Sequence, residues 1–274
     1  MSARADSPPA SPGPLQAPAP RGAGVLAARN PVAKLAAALL IALPLVLTID
    51  WVSAAVSLAL SSILLVFSGV RWREFWVRTL PIWVAAPLTA VTIALYGSPA
   101  GTVYAEWFVV RISDGSLDLA LATLFRVLAI ALPGVVLFIT VDPTDLADGL
   151  AQIVRLPARF VLGALAGMRL LGLLADDWRA LTLARRARGV ADEGRVRRLL
   201  GMVFALFVLA IRRGTKLATA MEARGFGADG PRTFARESRW GAADTGLVIA
   251  GAAISAIAIT TAVATGSWRF VLGA

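Results

Sequence analysis

The chain has 274 residues, of which 58% are hydrophobic and 16% are charged, and its net charge is +10. Its mean hydropathy of +0.74 exceeds what a soluble domain of this length needs, so the composition indicates an integral membrane protein. The sequence has no cysteine and no histidine, which excludes disulfides, thiol chemistry, imidazole metal ligands and catalytic pairs built on either residue. Basic residues between apolar spans are typical of membrane proteins, so the charge does not indicate nucleic acid as a partner.

Residues 1–29 are rich in proline, alanine and serine and contain no long apolar run. Such a segment cannot bury enough surface to offset its chain entropy, so we expect a disordered cytoplasmic tail. No apolar stretch precedes a cleavage-like site, and the segment is therefore not predicted to be a signal peptide.

Residues 30–140 contain four apolar runs that predict transmembrane helices. Lys34 is expected to anchor the first of them at the membrane interface. Residues 69–78 interleave arginines with tryptophan and phenylalanine, which predicts a basic interfacial loop, whereas residues 98–116 are expected to form an outward-facing loop. The four runs are 32–49, 52–68, 81–97 and 117–140.

Arg126 lies well inside the fourth apolar run. An intramembrane arginine is costly and often functional. No intramembrane carboxylate lies nearby in sequence to form a relay, so we expect Arg126 to face a neighbouring helix and to pair with a carboxylate or a carbonyl for structure. The alternative is that Arg126 takes part in the protein's mechanism.

Residues 141–243 are more polar and strongly basic. Asp142 and Pro143 predict the N-cap and first residue of a helix. Asp142, Asp145 and Asp148 resemble a metal-binding acidic motif, but capping explains two of the three, so no metal site is predicted. The apolar pieces 160–175 and 199–211 fall short of the about twenty residues that a span needs, so we expect long cytoplasmic amphipathic helices.

Within this region the pattern Ala-x-x-Ala-Arg-Gly occurs twice, at residues 184–189 and 220–225. Glycine takes the left-handed conformation that ends a helix at little cost, so each copy predicts a helix C-terminus. Alanines three residues apart share a helix face and leave a flat strip with the arginine at its edge. Helix capping requires neither the alanines nor the duplication, so we interpret the copies as a pair of docking tips.

Residues 244–274 are expected to hold the last span, at 245–266. With a cytoplasmic N-terminus, this arrangement leaves nearly all of the 27 lysines and arginines inside the cell. The sequence therefore predicts an all-α, multi-pass protein of the plasma membrane with about five transmembrane helices and an outside C-terminus. Long cytoplasmic amphipathic helices are inserted before its last span.

These features together resemble the transmembrane T component of energy-coupling-factor transporters, the vitamin and metal-ion branch of the ATP-binding-cassette systems. The resemblance runs from about residue 30 to the C-terminus, and the paired Ala-Arg-Gly is its specific part. Residues 30–35 resemble the family's Asp-Pro-x-x-Lys-Leu, with Asn30 in place of the acid. Residues 140–150 resemble its Thr-x-x-Pro-x-x-Leu stretch, and 213–226 resemble the end of its second coupling helix.

The resemblance implies a scaffold for vitamin or metal-ion uptake that is not an enzyme, holds no cofactor, and joins two cytosolic ATPases to a small membrane subunit that binds the substrate. The sequence agrees, because it contains no Gly-x-x-x-x-Gly-Lys-[Ser/Thr] phosphate loop. The implied docking residues are Ala187, Arg188 and Gly189 for one ATPase and Ala223, Arg224 and Gly225 for the other.

Two other classes stay open from the sequence. A membrane-embedded enzyme would depend on carboxylates such as Asp142, Asp145 and Asp148, because histidine and cysteine are absent. A secondary transporter or channel is expected to have internal repeats and several intramembrane polar residues. The spans offer only Arg126 and no repeat.

Overall fold

The computed structural model describes residues 28–66, 69–97, 100–107, 110–189, 194–226 and 236–268, together with Gly24, Leu26 and Phe234. Nearly all of the predicted tail at 1–29 lies outside the described residues. In the described part the chain forms eight helices and one β-hairpin. They are α1 (Pro31–Leu47), α2 (Trp51–Val66), α3 (Trp72–Tyr96), β1 (Val103–Trp107), β2 (Val110–Ser113), α4 (Asp114–Ile139), α5 (Pro143–Gln152), α6 (Ala158–Ala187), α7 (Arg195–Ala223) and α8 (Ala242–Ala264).

The chain divides into two compact units. The first unit runs from Ala38 to Thr140 and resumes at Gly251, so it contains α2, α3, α4, the hairpin and most of α1 and α8. The second unit comprises Asn30–Ala37 and Val141–Ala250, and it contains α5, α6 and α7 with the first turns of α1 and α8.

Small residues allow the helices of the first unit to approach each other closely. The buried side of α2 carries serine or alanine at positions 53, 54, 57 and 61, and small residues at such spacing are typical of membrane helix interfaces. α4 packs against both α2 and α3. Among the described residues, the core includes an apolar cluster of Ile41, Leu45, Ala54, Ala129 and Ile254 and another of Ala86, Leu128 and Leu132.

Four helices of the described residues are long and apolar enough to cross a membrane, namely α3, α4, α6 and α8. This confirms an all-α, multi-pass membrane protein. α1 and α2 are apolar but shorter, with 17 and 16 residues. The break between them is fixed locally, because the Asp50 carboxylate accepts a hydrogen bond of 2.6 Å from the Ser53 backbone N–H at the start of α2.

Three of the elements differ from the sequence expectation. α6 has the length and composition of a span. The helix is 30 residues long and extends beyond both ends of the apolar piece at 160–175. Residues 72–78 are the first turns of α3 rather than a loop. The expected outward loop contains the antiparallel hairpin of β1 and β2, whose register pairs Val103 with Ser113 and Trp107 with Val110.

In the second unit, α5 packs on the start of α1. Gly149 of α5 is buried so close to Val32 that a Cβ at this position would lie 2.6 Å from the valine side chain. Lys34 is only 1% exposed, so the expectation of an interfacial anchor is wrong for this residue. The reason is that the first turn of α1 belongs to the packed interior of this unit.

Candidate functional site

The two Ala-Arg-Gly copies end two long helices with the same backbone geometry. α6 ends at Ala187 and α7 ends at Ala223, and in each case the next residue is the arginine. Arg188 has φ −88° and ψ 0°, and Arg224 has φ −92° and ψ 12°. We call residues 187–189 the first tip and residues 223–225 the second tip.

Glycine is required at the end of each tip. Gly189 and Gly225 have φ of 72° and 75°, in the left-handed region that residues with a Cβ rarely adopt. The Gly225 backbone N–H donates to the Glu222 carbonyl, and the Phe226 N–H donates to the Met221 carbonyl, both at 2.9 Å. These two bonds form a Schellman cap. The Gly189 N–H makes the corresponding bond to Arg186 at 3.1 Å, so the prediction that both copies end helices is confirmed.

The tips are exposed. In both copies the two alanines, the arginine and the glycine all lie at the surface. Within the described part of the chain, neither the Arg188 nor the Arg224 guanidinium has an ion-pair or hydrogen-bond partner. Each tip thus presents a flat alanine strip and an unpaired planar cation to the surroundings, a combination suited to carboxylates or carbonyls of a partner.

A cross-helix ion pair joins the two helices that carry the tips. Arg213 of α7 donates from Nη2 to Oδ1 of Asp177 on α6 at 2.9 Å, and its Nη1 lies 2.7 Å from Oδ2. Sequence reasoning missed this pair because its members are 36 residues apart. The sequence does contain a signal for the pair. When the two copies of the motif are aligned, Asp-Asp at 176–177 before the first tip takes the same place as Arg-Arg at 212–213 before the second, so the two segments carry opposite charges.

α7 also presents a large apolar surface in the second unit. Beside α6 it lines a cavity of about 310 Å³ with Leu199, Met202 and Arg198, opposite Trp178 and Thr182. Many apolar side chains of α7 are exposed. The exposed side chains are Val196, Leu199, Leu200, Val203, Phe204, Phe207, Val208 and Ile211.

The segment that follows the second tip is fastened to α5. The Gln152 side chain donates to the Arg236 carbonyl at 2.8 Å and accepts from the Ser238 N–H at 2.9 Å. Arg236 also pairs with Asp145 at 3.1 Å. Asn30 caps α1 and donates from its amide to Ser238 Oγ and the Arg239 carbonyl, both at 3.0 Å. The part of this segment at 227–233 lies outside the described residues.

The three aspartates at the start of α5 have separate surroundings. Asp142 caps the helix by accepting from the Thr144 N–H at 2.7 Å and the Asp145 N–H at 3.4 Å, so the capping prediction is confirmed. The bond from Thr144 lowers the pKa of Asp142. Asp145 pairs with Arg236, whereas partial burial raises the pKa of Asp148. No group of three metal-ligating side chains is found among the described residues.

Arg126 lies half-buried on α4 in the first unit. Its Nη2 donates to the Thr48 carbonyl at the end of α1, so the expected carbonyl partner is present. The sequence missed the nearby Asp50 carboxylate, which interacts with the guanidinium electrostatically. Asp50 is 76 residues away and marks the end of the first apolar run, so only the packing of the helices brings the two charges together.

Comparison with known proteins gives consistent matches. The family described as cobalt transport protein, CbiQ, matches residues 23–233. The energy-coupling factor transporter transmembrane protein EcfT of Limosilactobacillus fermentum is 31% identical over 185 residues, which are 63% of this chain and 69% of that protein. The EcfT protein of Listeria innocua is 28% identical over 241 residues, which are 83% of this chain and 90% of that protein.

Proposed function

This chain belongs to the cobalt transport protein family CbiQ, the T components of energy-coupling-factor transporters, and we propose that it couples two cytosolic ATPases to a separate membrane subunit that binds the substrate. The observation that carries this proposal is the pair of exposed tips with the same cap geometry. Two like tips fit two like partners.

Each tip inserts its arginine into a groove of one ATPase. Ala187, Arg188 and Gly189 bind one ATPase, and the second tip binds the other. The exposed alanine strip lets a partner backbone approach closely, and the planar guanidinium makes several hydrogen bonds at once. Because α6 and α7 are continuous helices of 30 and 29 residues that end at the tips, a displacement at either tip is carried along a rigid helix.

The exposed apolar side of α7 supports a membrane partner. A contiguous apolar surface of this kind on a membrane protein is covered by lipid or by another protein. The proposed substrate-binding subunit is itself a membrane protein and therefore offers an apolar surface of its own. The substrate is a vitamin or a metal ion, in line with the cobalt transport of the family description, and it is bound by that subunit.

We propose that residues 141–243 face the cytoplasm, with the N-terminus inside and the C-terminus outside. α6 is long and apolar enough to cross a membrane, but we place it on the cytoplasmic side so that both tips can reach cytosolic ATPases. The many arginines of this region support the orientation through the positive-inside rule. Both tips then lie on the side of the membrane where cytosolic ATPases are available. Domain boundaries at 29, 140 and 243 follow from the same assignment.

The test is co-purification of the ATPases with tip variants from the native membrane. Truncating one partner of a buried, hydrogen-bonded charge pair costs on the order of 2 to 5 kcal/mol, or roughly 30-fold or more in affinity. Arg188→Ala and Arg224→Ala each weaken ATP-driven uptake, and the remaining tip partly masks the loss. The double variant loses the co-purifying ATPases and stays folded in the membrane.

Arg186→Ala is the matched control, because Arg186 is an exposed arginine of the same last turn that lies outside the first tip. It is expected to retain both ATPases. Full uptake and both ATPases in the double variant would reduce the tips to helix caps. Uptake by the purified chain without any ATPase would instead support a secondary transporter or channel.

A further inference from the structure

The ion pair of Asp177 and Arg213 is a directional interaction between α6 and α7. The side chains are 18% and 36% exposed, so the pair is partly withdrawn from water. Arg213 Nη2 donates one hydrogen bond of 2.9 Å to Asp177 Oδ1, and the Nη1···Oδ2 contact of 2.7 Å is an ion-pair contact without a second hydrogen bond. Near the pair the two helices also line a cavity of about 310 Å³ that is partly open to solvent, so the contact between them is not tightly packed there.

The pair stands at the same distance from both tips. Asp177 precedes Arg188 by eleven residues, and Arg213 precedes Arg224 by eleven residues, all within continuous helix. At about 1.5 Å per residue, each tip lies roughly 16 Å along its helix from the pair. The ion pair therefore lies at an equal distance along the helix from each tip.

The two helices run in opposite directions at this contact. Arg185, eight residues after Asp177, lies against Gly201, which precedes Arg213 by twelve residues. Moving towards the first tip on α6 thus means moving away from the second tip on α7. The tips extend from the ion pair in opposite directions, and their helices allow a separation of up to about 33 Å.

We propose that the Asp177–Arg213 pair is a positioning pair that fixes the register of α6 on α7 and so sets the distance between the two tips. Apolar contacts are non-directional and permit one helix to slide past the other, whereas an ion pair that includes a hydrogen bond is satisfied in a narrow range of registers. A slip of one helical turn would move one tip by about 5.4 Å relative to the other tip. The use of this spacing to hold two ATPases rests on the proposed function.

The distance can be measured in the chain alone, without ATPases. The sequence has no cysteine, so spin labels on Arg186→Cys and Glu222→Cys, two exposed positions of the last helical turns, report only on the tips. Pulsed electron paramagnetic resonance in nanodiscs gives the distance distribution between them. Asp177→Arg and Arg213→Asp are each expected to broaden it or to shift its maximum by about 5 Å. The exchange of both charges in one chain is expected to restore it.

The matched controls are Asp176→Arg and Arg212→Asp. They reverse the same charges one residue earlier, where both side chains are exposed, and they leave the pair intact. Where a reversal lowers the yield of folded protein, Asp177→Asn and Arg213→Gln remove the interaction without repulsion and are expected to broaden the distribution in the same way. An unchanged distribution in the single variants, or no recovery on charge exchange, would overturn the proposal.

Retention of the ATPases is a separate readout. If the tips dock ATPases, the single reversals lower the retention of the second ATPase by about fivefold, and the charge exchange restores it. A distance that shifts and recovers while ATPase retention stays constant supports the positioning pair and counts against the proposed function. The two ideas can therefore fail independently.

Discussion

The two units of this chain use their polar side chains in different ways. In the first unit, threonines on α3 donate to carbonyls of their own helix one turn back, as Thr79 does to Phe75 at 2.8 Å and Thr92 to Leu88 at 2.9 Å. In the second unit, threonines make the same local bonds, as Thr182 does to Trp178, but polar side chains also join segments far apart in sequence, as Gln152 does with Ser238. Local bonds leave helices free to pack through small apolar residues, whereas long-range bonds specify which segments meet.

Among the described residues of the first unit, two side-chain bonds join residues more than 70 positions apart. Arg126 donates to the Thr48 carbonyl, and Ser255 of α8 donates to the Leu40 carbonyl of α1 at 2.5 Å. Both bonds reach a carbonyl of α1 or of the turn that follows it. The difference between the units teaches that, among the described residues, polar contacts between the helices of the apolar unit are few and are concentrated on α1 and the turn after it.

Arg126→Ala gives the strongest test of this contrast. The substitution removes the donor to Thr48 and leaves the buried Asp50 without its nearby cation, which costs roughly 2 to 4 kcal/mol. We expect a lower yield of folded protein and a lower thermal unfolding midpoint in detergent, with transport per folded molecule nearly unchanged. Normal yield with abolished transport would assign Arg126 to the mechanism instead.

Gln152→Ala tests the long-range bonds of the second unit. The loss of both amide hydrogen bonds is expected to cost roughly 1 to 2 kcal/mol locally. Hydrogen exchange should become faster at Ser238 and its neighbours and stay unchanged in α3. Gln152→Glu is the matched control, since it keeps the acceptor for the Ser238 N–H and loses only the donor to Arg236. Equal exchange in all three proteins would show that the segment is held by other contacts.

Asp142→Ala tests the local cap of α5, with an expected cost of about 1 kcal/mol. The bond from Thr144 lowers the pKa of Asp142 in the folded protein. The carboxylate therefore stabilises the fold fully at a pH above its ordinary pKa of 3.8, and this stabilisation is lost as the pH falls through the lowered pKa. The stability difference between the unchanged chain and the alanine variant should therefore be full at neutral pH and shrink in acid. Asparagine also caps a helix but does not titrate. The difference in stability between Asp142→Asn and Asp142→Ala should therefore stay constant as the pH falls.

Thr79→Val is expected to have the smallest effect, within about 0.5 kcal/mol, although Thr79 is fully buried. Its hydroxyl donates only to the Phe75 carbonyl of the same helix, and valine keeps the shape and exposes no unpaired donor. The unfolding midpoint in detergent measures this change. A loss comparable to that of Arg126→Ala would show that the hydroxyl is needed for packing between helices.

The sequence predicted what depends on neighbours in the chain. The cap at Asp142, the ends of α6 and α7 and the last span follow from local rules, and the structure has each of them. The burial of Lys34 and the approach of Asp50 to Arg126 depend on partners far away in sequence, so periodicity could not predict them. The length of α6 was missed because charges such as those at 176–177 interrupt its apolar pattern without ending the helix.

The docking role of the tips stays a prediction, and its physical basis is stronger than the motif alone suggested. From the sequence, an alanine strip and an arginine at a helix end defined a candidate site. The structure adds that both tips are exposed and share one backbone geometry. The pair of Asp177 and Arg213 could be found from the sequence only by aligning the two copies beyond the motif itself.

The glycine caps also reduce the conformational entropy that the tips lose when they bind a partner. The hydrogen bonds of Gly189 and Gly225 hold the backbone beside each arginine in one conformation before any partner arrives. Docking then has to immobilise little more than the rotamers of one arginine at each tip, at about 0.5 to 1.5 kcal/mol per side chain. A flexible loop with the same residues would lose backbone freedom as well, at roughly 1 to 2 kcal/mol per residue. Two short, preorganised tips can therefore hold large partners with very little contact area.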